Sequence, residues 1–105
     1  MKPVAAVLPV LDELRRAAAK FPTWPTDPLH ALAVLGEEFG ELTQAVMQAV
    51  YEPHKSGPDQ VRAEAIQCAA MAIRFIQSLP VYRYAGSEQH LQDAQLPADG
   101  EVRDG

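Results

Sequence analysis

The sequence predicts an all-α protein: a small helical bundle of three long helices and a short C-terminal one. Three observations predict it. Alanine is abundant and apolar residues recur three and four apart. The apolar/polar alternation of a strand is absent. Prolines and glycines gather in clusters that cut the chain into helix-length pieces.

The first helix is expected from about Pro9, or somewhat earlier, to Lys20, with Leu11, Leu14, Ala18 and Phe21 as its apolar stripe. Pro9 suits a first turn, where a missing N–H costs no hydrogen bond. The three prolines of "FPTWPTDP", residues 21–28, forbid regular helix and mark a connector. Thr26 or Asp27 can then cap a second helix running from about Pro28 to Tyr51. "EPHKSGPD", residues 52–59, breaks that helix with Pro53, Gly57 and Pro58. A third helix comes next, from about Asp59 to Leu79, ending before Pro80. A short fourth, capped by Ser87, is expected within residues 81–95, and residues 96–105 read as a frayed tail.

The 105 residues suffice for one small domain, assigned to residues 1–95. A core of that size is marginal, so a homo-oligomer that completes a four-helix-type bundle is expected. The net charge of −5, from 14 acids against 9 Lys and Arg, argues against a partner that is a nucleic-acid polymer. It leaves room for small phosphate ligands held through a metal. Cys68 is the single cysteine, so no internal disulfide forms. The start has no signal-peptide pattern and no apolar run is long enough to span a membrane. A soluble, cytoplasmic protein is expected.

The stretch "GEEFGEL", residues 36–42, sets three acids among apolar neighbours. On a wheel of about 100° per residue, Leu32, Leu35, Phe39, Leu42, Val46 and Val50 form the main apolar face. Glu38 lies on its shoulder with Ala31, Val34, Ala45 and Ala49, Glu41 at the margin and Glu37 nearest solvent. Gly36, Gly40, Ala33 and Thr43 make a small-residue face that a neighbouring helix can approach closely. In the third helix, Val61, Cys68, Met71, Phe75 and Leu79 fall within about 60° of Glu64, which places a glutamate in the middle of an apolar face. Gln67 lies on its flank.

A buried carboxylate is costly, and several facing one another also repel. A bound cation relieves both effects. Glu38 and Glu41 are three residues apart, as are Glu64 and Gln67, so each pair shares a helix face. If the two helices pack antiparallel across their short connector, the pairs converge. Oxygen donors suit Mg²⁺, and Mn²⁺ as its substitute.

At this point the residues resemble a known pattern. Glu37-Glu38-Phe39-Gly40-Glu41 is similar to the EExxE element of the MazG-like, all-α NTP pyrophosphohydrolases, and Glu64-Ala65-Ile66-Gln67 to their ExxD element, with residues 42–63 between them. The resemblance covers roughly Leu11 to Leu79. It implies hydrolysis of a nucleoside triphosphate to monophosphate and pyrophosphate with Mg²⁺, in a dimer or tetramer. It implies Glu38, Glu41 and Glu64 as metal ligands, and Glu37 as a further ligand or the base that orients water. The family's final Asp is Gln67 here. Its carbonyl can ligate but brings no charge. A weakened enzyme, or an inactive relative acting by nucleotide or protein binding, is the alternative.

In the mechanism expected from these residues, Glu38, Glu41, Glu64 and Gln67 form the metal set, and Glu37 or Glu41 aligns the attacking water. Lys55, Arg62 and Arg74, with His54, are candidates for the phosphates. Loop solubility is the plain reading of Lys55, and structural pairing that of the two arginines. Trp24 and Phe21 can stack on a base or simply cover the end of the core. His30 is a substrate candidate whose plain role is capping or surface. Cys68 reads as a small core residue. A di-iron carboxylate bundle is disfavoured because neither acid pair continues as ExxH.

Overall fold

The computed structural model describes residues 1–85 of the chain. They form three α-helices, α1 (Pro3–Lys20), α2 (Pro28–Tyr51) and α3 (Pro58–Gln77), followed by one 3-10 turn, Leu79–Val81, and no strand occurs among the described residues. Helix α3 packs against both α2 and α1. The expected fourth helix with its Ser87 cap, and the tail, lie outside the described residues.

Each helix begins with a proline in its first turn, where a missing donor removes no intrahelical bond. For α1 that proline is Pro3 rather than Pro9, which lies inside the helix. Pro9 reads as a start because interior prolines usually break helices, but here it sits only two turns from the end. At α2 the cap is Asp27, whose carboxylate accepts from the Leu29 amide at 3.0 Å. Helix α3 starts after extended Gly57 with no side-chain cap.

The central cluster joins Ala17 of α1 to Ala70 and Met71 of α3, with Val10, Leu14, Trp24 and Leu35 packed around it. The α1 stripe is thus Val10, Leu14 and Ala17; the expected members Ala18 and Phe21 are exposed. Phe21 lies beyond the last helical residue, Lys20, and already belongs to the connector.

Helix α2 also turns differently from expectation. Its buried residues are the small ones, Ala31 and Ala45, with Leu35, Glu38, Leu42 and Ala49 half-buried along the same side. Small side chains let α2 approach α3 closely. The stripe expected to form the main apolar face is split: Leu35 and Leu42 are half-buried, whereas Leu32, Phe39, Val46 and Val50 are 54%, 61%, 41% and 64% exposed. Nor does the small-residue face meet another helix among the described residues, since a Cβ on Gly36 or Gly40 would find nothing within 4 Å.

The connector is fastened to the end of α3. Arg74, buried, donates to the carbonyls of Phe21 (2.8 Å) and Thr23 (3.2 Å), with its guanidinium carbon 5.0 Å from the Trp24 ring centroid. The Trp24 indole donates to the Tyr82 hydroxyl at 2.8 Å, and that hydroxyl donates to the Phe75 carbonyl at 3.1 Å. Tyr82 is fully buried, its ring 5.1 Å from that of Phe75. The Arg83 amide closes the chain back onto the Thr26 carbonyl at 2.9 Å. This network fastens the connector that precedes α2 to the C-terminal end of α3.

Candidate metal centre

Three carboxylates meet on the α2–α3 seam. Glu38 and Glu41, three apart on α2, face Glu64 on α3, and one oxygen from each lies within 4.8 Å of the others. The local reason is geometric. Glu38 shares its side of α2 with Ala31, Leu42 and Ala45, so the packing that buries the alanines half-buries the glutamate. Glu64 shares its side of α3 with Cys68 and buried Met71. Glu41 is exposed at the rim.

The polar accounting of the trio is incomplete. Glu38 Oε2 and Glu64 Oε1 are both shielded from solvent and have no hydrogen-bond partner among the described residues. The other oxygen of Glu64, Oε2, accepts from the Gln60 side-chain amide at 2.8 Å. No Lys or Arg among the described residues forms an ion pair with any of the three; the ion pairs that do occur there join Arg15 to Asp12, Arg16 to Glu13 and Lys55 to Glu52. Burial pushes the Glu38 carboxyl above its ordinary range, and the charges of Glu41 and Glu64, a hydrogen bond shared with the Glu41 side chain and then the charge of Glu37 push it further. Burial raises the Cys68 thiol as well, with the Glu38 charge adding to it. The thiol is a weakly nucleophilic neighbour of the site.

Such a site fits a hard divalent cation. Its donors are all oxygens, they come from two helices, and two are buried lone-pair carriers with no donor to satisfy them. A positive ion would meet the unpaired oxygens and cancel the repulsion that lifts Glu38.

The other predicted residues are spread around this centre. Glu37 and His30 are exposed on α2, His30 about 10 Å of helix from Glu37. Gln67 is half-buried and lines a different cleft, of about 480 Å³, between α1 and the first half of α3. Arg62 lines it too, with Arg16, Asp12, Glu13 and Asp59. Lys55, exposed in the α2–α3 connector, pairs with Glu52 at 2.7 Å. Trp24 and Arg74 hold the far end of α3, about 15 Å along the helix from Glu64, where they fasten the connector. Sequence reasoning missed Gln60, though its position four residues before Glu64 was a readable signal. It also missed Tyr82, which lies in a segment without periodicity.

No protein-family model matches the chain, and no curated protein or solved structure matches it either.

Proposed function

We propose that the protein is a Mg²⁺-dependent nucleoside triphosphate pyrophosphohydrolase, with Glu38, Glu41 and Glu64 as its metal ligands and Mn²⁺ as a functional substitute. The observation that carries this reading is the pair of buried, unpartnered oxygens, Glu38 Oε2 and Glu64 Oε1, inside a three-carboxylate cluster. A purely structural bundle would neutralise Glu64 with an arginine or lysine, and no such pair occurs among the described residues.

A bound Mg²⁺ supplies charge neutralisation for phosphate oxygens and a lower pKa for water. The protein's own contribution is positional. Glu38 and Glu64 come from a packed seam and fix the cation between two rigid helices. Glu41, exposed at the rim, is open to solvent and to a triphosphate arriving from outside. Glu37, exposed beside Glu38, is free to orient an attacking water. Phosphoryl transfer asks mainly for such positioning and for electrostatic stabilisation.

The working form is proposed to be a homodimer or homotetramer in the cytoplasm. The exposed stripe Leu32, Phe39, Val46 and Val50 on α2 is the surface that a second copy would cover, completing a four-helix-type bundle. No helix among the described residues is long and apolar enough to cross a membrane.

A second reading is favoured by Gln67. With a neutral side chain in place of the motif's last acid, and lining the α1–α3 cleft, the chain can bind a cation and nucleotide with little or no turnover. One experiment separates the two. A panel of canonical and modified nucleoside triphosphates is incubated with protein and Mg²⁺ or Mn²⁺, and products are followed by ³¹P NMR. Monophosphate with pyrophosphate supports the enzyme. Nucleotide binding without products supports the module, and orthophosphate as the sole product contradicts both.

A further inference from the structure

The Glu64 carboxylate is held asymmetrically. Oε2 accepts the Gln60 amide at 2.8 Å, while Oε1 is buried with no partner. The terminal torsion of a glutamate is soft and roughly two-fold, so nothing in the side chain itself decides how its oxygens are turned. Gln60 sits one helical turn earlier on α3, where an i, i+4 contact is geometrically natural. A glutamine is chemically apt there. Its amide donates a hydrogen bond but brings no charge, so it fixes the carboxylate without cancelling the charge that a cation needs. A lysine at position 60 would occupy the anion electrostatically and compete with the metal.

We infer that Gln60 is a positioning residue that fixes the Glu64 carboxylate plane toward Glu38 and Glu41 and so raises the divalent-cation affinity of the cluster. The inference rests on the metal reading of the acid trio. Groups that orient metal ligands from behind typically contribute about 10- to 100-fold in metal affinity. Gln60 is exposed, which points to the lower end, about tenfold.

The test is a Mn²⁺ titration of the full chain by EPR of free Mn²⁺, with metal-free melting measured alongside. The proteins are wild type, Gln60→Ala, Gln60→Met and Glu64→Gln. Met keeps the length and helix propensity of Gln but removes the donor. The expected result is that wild type binds Mn²⁺, Glu64→Gln loses most of the affinity, and both Gln60 variants fall by about tenfold while the metal-free melting temperature stays near wild type. A role confined to helix stability would move the melting temperature and leave the affinity alone. Gln60 variants that bind Mn²⁺ within twofold of wild type, beside a defective Glu64→Gln, would overturn the role of Gln60 and leave the metal site standing. Wild type binding no better than Glu64→Gln overturns the metal reading, and the role of Gln60 with it.

Discussion

Glu38 on α2 and Glu64 on α3 face one another across the seam, and each keeps one buried oxygen without a hydrogen-bond donor. Burying an unsatisfied, charged acceptor costs stability. Two of them in one cluster are what a bound cation would satisfy, and this is the basis of the proposed metal site.

Metal should therefore stabilise the fold. At Mg²⁺ or Mn²⁺ a hundredfold above its dissociation constant, linkage adds about 2.7 kcal/mol. For a domain of this size that raises Tm by roughly 10–20 °C. EDTA should reverse the shift, and Glu64→Gln should abolish it. Differential scanning calorimetry with and without metal checks the prediction; an unchanged Tm in wild type would count against the site.

The pH dependence of the metal-free protein follows from Glu38. Its folded-state pKa is raised, first by burial and then by Glu41, Glu64 and Glu37. Between the unfolded and folded pKa values the folded state holds more protons, so stability falls as pH rises through that window. The penalty is then present in full above the folded pKa and absent below the unfolded one. Glu38→Gln should be more stable than wild type at pH 8 without metal, with the advantage vanishing at acid pH. Thermal melts across pH 4–8 in EDTA read it directly.

The Trp24–Tyr82 pair gives a prediction about the scaffold. Tyr82→Phe removes the acceptor of the Trp24 indole and the donor to the Phe75 carbonyl. The expected loss is about 1–3 kcal/mol, read by urea denaturation. Mn²⁺ affinity should stay within twofold, because Arg74 still fastens the connector to α3 and the lost bonds lie about 15 Å along α3 from Glu64.

The outward stripe of α2 gives a prediction about assembly. Val46→Asp with Val50→Asp places two charges on the exposed apolar face. Light scattering coupled to size exclusion should find an oligomer for wild type and a monomer for the double variant. A monomeric wild type would remove the second copy from the proposed working form.

Gln67→Asp restores the acid expected by the motif. With Gln67 on the α1–α3 cleft, turnover should change by less than threefold. A sharp rise would show that position 67 reaches the metal and that the natural chain is a weakened enzyme.

The bounds of α2 were legible in the sequence, because Asp27 and Pro28 open it and Pro53 closes it. The start of α1 was not, because two prolines compete for the first turn and only packing decides between them. The acid trio was legible from residue spacing and from one glutamate on an apolar face. Which face of α2 meets α3 was not. A wheel ranks faces by hydrophobicity, whereas the chain seats alanines inside for a close helix approach, with Leu35 and Leu42 beside them, and leaves Leu32, Phe39, Val46 and Val50 outside. Gln67 shows the same limit. It shares a flank with Glu64, and that flank borders α1 as well as α2.

The most direct measurement of the proposed metal site is an anomalous difference map at the manganese edge from crystals grown with Mn²⁺. The predicted result is a peak on the α2–α3 seam, coordinated by Glu38, Glu41 and Glu64. A Mn²⁺ peak elsewhere, or an empty seam at saturating Mn²⁺, would contradict it.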